Sequence, residues 1–115
     1  MKTSIRIIAA AAICLAAQSS FAQITTFGQP DCGQWLTEKT VGRRAWLVGY
    51  LSGMNVVHVV STPENRNSNP LKELSSIDQA FVWMDDYCRK NPLDNLTFGG
   101  LSLFTELMKK EAARR

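Results

Sequence analysis

The stretch Ser76-Ile77-Asp78-Gln79-Ala80-Phe81-Val82-Trp83-Met84-Asp85-Asp86-Tyr87-Cys88-Arg89-Lys90-Asn91-Pro92 decides the fold class. Ile77, Ala80, Phe81, Met84 and Cys88 recur at the spacing that puts them on one face of an α-helix. Ser76 and Gln79 occupy the positions of a capping box at its start. Asp85 with Arg89, and Asp86 with Lys90, are i,i+4 pairs of favourable orientation. The cysteine therefore faces inward and the charges face water.

Working outward toward the C-terminus, Asn91 is placed to cap a next helix, with Pro92 at its first position and Asp94 in its first turn. Leu93, Leu96, Gly100, Leu103, Phe104 and Leu107 form its apolar stripe. Gly99-Gly100 marks either a close contact or a kink. Toward the N-terminus, Ser61 to Pro70 has two prolines and no aliphatic or aromatic residue, and reads as a loop. Leu71 to Leu74 adds a turn at most. A helix is expected over Thr40–Val60, with Leu47, Leu51, Met54 and His58 on one line and Trp46, Tyr50 and Val57 on another. Gly42, Ala45, Gly49 and Gly53 make a stripe of small residues. Each helical glycine costs about 1 kcal/mol against alanine, so the stripe is expected to admit a close-packed helix or backbone. The β-branched run Val56-Val57-His58-Val59-Val60 is expected to end or distort this helix. Gln23 to Pro30 has no period; Asp31 can cap a short turn holding Cys32 and Trp35. The expected architecture is all-α: one small disulfide-tied domain over residues 23–115, with three main helices plus short turns.

The first 22 residues read as a secretory signal peptide. Lys2 and Arg6 precede an apolar run from Ile7 to Ala17, and Gln18-Ser19-Ser20-Phe21-Ala22 supplies the small-x-small end, with cleavage expected after Ala22. The apolar run is 11 residues, against the ~20 a membrane span needs. The expected compartment is the periplasm. Processing would leave 93 residues and two of the three cysteines, Cys32 and Cys88. An even count in a small exported domain favours a disulfide over a metal or redox site. Closing a loop of 56 residue steps is worth roughly 4 kcal/mol.

The full chain carries +3, but the mature part carries only +1, because two of its 13 basic residues lie in the leader and all ten acids do not. That balance argues against a nucleic-acid partner. Lys109, Lys110, Arg114 and Arg115 end a predicted helix, where they complement its dipole. His58, the only histidine, has no sequence neighbour that would make it a general base, and is expected to be structural. There is no nucleophile elbow and no phosphate-binding glycine loop. Asp85 and Asp86 diverge by about 100° on a helix and do not converge on a metal. No cofactor is expected, and the chain does not read as an enzyme. Asn55 is expected to hold the neighbouring loop or to reach a partner.

Three segments carry a resemblance: Asp31-Cys32-Gly33-Gln34-Trp35, then Arg44-Ala45-Trp46-Leu47-Val48-Gly49-Tyr50-Leu51-Ser52-Gly53-Met54-Asn55, then Trp83-Met84-Asp85-Asp86-Tyr87-Cys88-Arg89-Lys90-Asn91-Pro92-Leu93. This set resembles the Rap/Tai family of immunity proteins of type VI secretion systems, small exported helical proteins that block cell-wall amidase toxins. More distantly it is similar to the HdeA-like periplasmic acid-stress chaperones, which share the single bridge. The resemblance implies a non-enzymatic protein whose partner is a peptidoglycan amidase toxin. It assigns Cys32 and Cys88 to the bridge, and Trp46, Gly49, Tyr50 and Gly53 to a packed helix. The loop Thr62–Asn69 is the expected partner-binding segment, through Thr62, Glu64, Asn65, Arg66 and Asn67. An acid chaperone and an exported helical protein of unknown structural role are the alternatives. A homodimer is compatible with either family.

Overall fold

The computed structural model describes residues 25–38 and 40–115. The export signal expected over residues 1–22 lies outside the described residues. Four α-helices form: α1 (Cys32–Thr37), α2 (Val41–Ser61), α3 (Ile77–Lys90) and α4 (Leu96–Ala113). Two 3-10 turns, Pro63–Asn67 and Pro70–Glu73, join α2 to α3. The all-α expectation holds: three long helices and a short one share a single core.

That core is Trp35, Leu47, Leu51, Ala80, Met84, Leu96, Leu103, Phe104 and Leu107, with Cys32 and Cys88 fully buried among them. The two cysteines form the expected disulfide, their Cα atoms 4.9 Å apart. The capping box sits on α1 instead of α3. Asp31 Oδ1 accepts from Gln34 N at 2.6 Å, and Gln34 Oε1 accepts from Asp31 N at 3.2 Å. On α3 the Ser76 hydroxyl makes no cap bond, and Gln79 Oε1 accepts from Ser75 N at 2.8 Å.

Helix α2 runs unbroken through its valines to Ser61, against the expectation that they would end it. A β-branched residue costs a helix only about half a kcal/mol, and Leu47 and Leu51 bury the helix against the core. Its stop is Thr62-Pro63: a residue before proline is pushed out of the helical region, and Thr62 is extended (φ −143°, ψ 153°). The expected loop is likewise more regular than a solvent loop. Pro63 and Pro70 each open a 3-10 turn, and Ser68 and Pro70 are buried.

Helix α4 begins at Leu96, later than Asn91-Pro92 suggested. Asn95 caps it, accepting from Thr97 N (3.0 Å) and Phe98 N (3.3 Å). The residues before it are held by tertiary bonds. Cys32 N donates to Asp94 O (2.9 Å), Leu96 N donates to Pro30 O (3.0 Å), and Tyr87 Oη donates to Asp94 Oδ2 (2.6 Å). Leu93, assigned to the apolar stripe, is therefore left in the turn and nearly fully exposed. Burial and the Asp94 carboxylate push the Tyr87 phenol up to about 12, so it stays protonated as a donor through the physiological range.

Candidate functional site

The expected partner-binding segment is an exposed turn on a pinned base. Thr62, Glu64, Arg66 and Asn67 face solvent; Asn65 is half-buried, its Nδ2 donating to Ser61 Oγ at 3.3 Å. Immediately after the turn, Ser68 Oγ donates to Glu111 Oε2 at 2.6 Å and Asn69 N donates to Glu111 Oε1 at 2.7 Å. His58 Nε2 lies 2.8 Å from the same Ser68 oxygen. A carboxylate only accepts, so the single Ser68 proton is committed to Glu111. His58 Nε2 must then carry a proton and donate it to Ser68. Burial pushes the Glu111 carboxyl up, but the Ser68 hydroxyl, the Asn69 N–H and the Arg115 guanidinium outweigh it and hold the group below the usual range.

The order of this trio settles its chemistry. In a nucleophilic relay the imidazole stands between hydroxyl and carboxylate, so that it can take the hydroxyl proton. Here the hydroxyl stands between imidazole and carboxylate, is itself buried, and faces a nitrogen that already bears hydrogen. The arrangement is a clamp that ties α2, the 3-10 segment and α4 together. His58 also sets its ring edge against Phe104, centroids 5.9 Å apart.

A second carboxylate pins the same segment. The Glu73 side chain is 1% exposed and is paired with Arg114. Lys110 Nζ donates to the Glu73 carbonyl at 3.4 Å. The basic end of α4 thus does more than complement a dipole: it fastens residues 68–73. Sequence reasoning missed Ser68, Glu73 and Glu111, because partners some 40 residues apart leave no local pattern.

The small-residue stripe of α2 is corrected by the structure. A Cβ built on Gly49 or Gly53 would meet nothing within 4 Å, so neither glycine admits a neighbour. The close approaches belong to α4. A Cβ on Gly99 would lie 2.6 Å from Met84 Sδ, and one on Gly100 would lie 2.7 Å from the Tyr50 ring. Gly99-Gly100 is therefore a contact, with α3 on one side and α2 on the other. Trp46 and Tyr50 do pack, stacked at 5.0 Å, with Trp46 Nε1 donating to Phe27 O at 3.0 Å. Burial raises the Tyr50 phenol above its usual value. Asn55 is half-buried, and its Oδ1 accepts no hydrogen bond from the described residues.

Between α2 and α4 lies an open apolar groove of about 550 Å³, lined by Tyr50, Met54, Val57, His58, Phe104 and Met108. At the disulfide end, Trp35 Nε1 donates to Asp85 Oδ1 at 2.7 Å and Arg44 lies over the Phe81 ring at 5.0 Å. The Asp85–Arg89 and Asp86–Lys90 pairs expected on α3 are replaced by that indole bond and by an Arg89–Asp86 ion pair one residue closer. The Arg89 guanidinium holds the Asp86 carboxyl below its usual range. Among the described residues no three His, Cys, Asp or Glu side chains converge on a metal site.

No family model, curated protein or solved structure matches this chain. Its fold and site stand on their own geometry.

Proposed function

We propose that the mature chain is a non-enzymatic binding protein of the periplasm, most like an immunity protein that neutralises a type VI secretion cell-wall amidase toxin. One observation carries this reading: the exposed Thr62–Asn67 turn presents Glu64 and Arg66 on a base that Glu111 holds through Ser68 and Asn69. A turn fixed before binding spares the entropy of ordering it in the complex, which is what a tight protein-protein contact needs. The disulfide is compatible with an oxidising compartment. An amidase encoded beside this chain should bind the oxidised mature protein with about nanomolar affinity at neutral pH, read by calorimetry. The charge exchange Glu64→Arg with Arg66→Glu should weaken that binding by more than about tenfold without lowering the melting temperature. If no amidase neighbours the gene, or the purified pair does not bind, the reading fails.

The acid-chaperone alternative also has an observation behind it. Two carboxylates, the buried Glu73 and the half-buried Glu111, hold the segment 68–73, and protonation removes their charge. That reading requires suppression of client aggregation at about pH 2–3, where native carboxylates are protonated. A chain that stays folded and inactive there refutes it.

A further inference from the structure

The only histidine stands where the clamp meets the apolar groove, and the clamp fixes its tautomer. Ser68 Oγ gives its one proton to Glu111, so His58 Nε2 carries hydrogen and donates to Ser68. A neutral imidazole with hydrogen on Nε2 keeps a lone pair on Nδ1. That nitrogen has no hydrogen-bond partner among the described residues. The one buried side-chain atom without a partner there is Asn55 Oδ1, so Nδ1 is reached from outside the protein. His58 lines the groove between α2 and α4, and an acceptor nitrogen therefore stands among apolar walls.

The other lining residues name the kind of body that would meet it. Phe104 is buried, and Met54 and Met108 are half-buried, one on each helix. Thioethers contact aromatic rings favourably, and unbranched methionines adapt to the shape of what they touch. Gly49 and Gly53 lie on the α2 wall with nothing within 4 Å of a Cβ built on either, which leaves room beside the rings of Tyr50 and Phe104. No Asp, Glu, Lys or Arg lines the groove, so a charged ligand would lose water without gaining a counter-charge. About 550 Å³ with mostly apolar walls and one placed polar atom is the make-up of a small-molecule site.

We infer that this groove is a binding site for a small uncharged aromatic molecule bearing one O–H or N–H, its ring between Met54 and Met108 and its hydrogen donated to His58 Nδ1. The inference is independent of the toxin-binding reading, which uses the Thr62–Asn67 turn. The groove is open, so one edge of the ligand stays in water and the affinity is modest, with Kd of about 100 µM.

β-Naphthol, two fused rings with one hydroxyl, is the probe. Calorimetry on the oxidised mature chain should show binding in that range. Its methyl ether keeps the rings but has no hydrogen to donate, and should bind more than about tenfold more weakly. A nitrogen NMR spectrum reads His58 alone, because the chain has no other histidine. The free protein should show hydrogen on Nε2, and β-naphthol should shift the Nδ1 resonance. Gly53→Leu fills the open part of the α2 wall without a clash, and should weaken β-naphthol more than about tenfold while leaving the melting temperature unlowered. Should that variant melt early, Leu101→Lys gives the same test from the α4 wall, where Leu101 is 40% exposed. No binding at about 1 mM β-naphthol overturns the inference. Equal affinity for the methyl ether, hydrogen found on Nδ1, or unweakened binding in both variants overturns it equally. Tighter binding of dodecanol, which has the donor but no ring, overturns the aromatic class.

Discussion

At the scale of single residues, Glu111 is the most consequential side chain that no local pattern announces. It accepts from a hydroxyl, a backbone N–H and a guanidinium at once. These donors hold its folded carboxyl below the ordinary range despite burial. A depressed carboxyl stabilises the fold fully above the unfolded pKa, and that contribution disappears as pH falls through the folded value. Stability should therefore decline on the acid side of about pH 4.3. Glu111→Gln keeps the shape but cannot ionise. It should cost about 1–3 kcal/mol at neutral pH, by weakening charge-assisted bonds and leaving an amide hydrogen against Ser68 or Asn69. It should also flatten the acid limb. Melting temperatures of both proteins from pH 3 to pH 7 check this, and an acid slope unchanged by the substitution would show that other carboxylates set it.

At the scale of elements, glycines on neighbouring helices should respond with opposite signs. Gly49 lies open on α2, so Gly49→Ala gains helix propensity without a clash and should stabilise the monomer by up to about 1 kcal/mol. Gly100 lies against the Tyr50 ring, itself stacked on Trp46, so Gly100→Ala must displace an aromatic pair and should cost about 1–3 kcal/mol. Urea melts at dilute concentration separate the two; equal effects would mean that the helices do not meet at Gly100. The sequence spoke clearly where periodicity governs. Ala80, Met84 and Cys88 on α3, and Leu103, Phe104 and Leu107 on α4, read as buried and are buried. It misled where a local signature lost to a distant partner. Asn91-Pro92 has the chemistry of a helix start, but Cys32 and Tyr87 hold Asp94 in a turn, and Asn95 becomes the cap. The Gly49 stripe and the Gly99-Gly100 pair look alike in one dimension, and only the packing tells a hollow from a contact. The turn Thr62–Asn67 could be found as a polar loop, but its fastening to Glu111 could not.

At the scale of the molecule, α4 joins two differently made ends. Near Leu96 the chain is closed covalently by Cys32–Cys88 and by paired backbone bonds between the Asp31 and Asn95 segments. About 22 Å along the helix, at Glu111 and Arg114, it is closed by ionic and hydrogen-bonded contacts to Ser68, Asn69 and Glu73. The two closures should fail separately, since each acts on a different part of the chain. Reduction of the bridge restores the entropy of a 56-residue loop to the unfolded state and should lower stability by roughly 4 kcal/mol, with the earliest loss of hydrogen-exchange protection at the Cys32 and Leu96 amides. Deletion of Glu111–Arg115 should do the reverse. It should release the amides of Ser68 to Leu74 and leave the bridged end protected, because the deleted residues carry the Glu111 and Arg114 carboxylate contacts to that segment and, among the described residues, none to α1. If both treatments instead lowered protection evenly from Cys32 to Leu107, the domain would open as one cooperative unit, and the division of labour between the bridge and the carboxylates would be wrong.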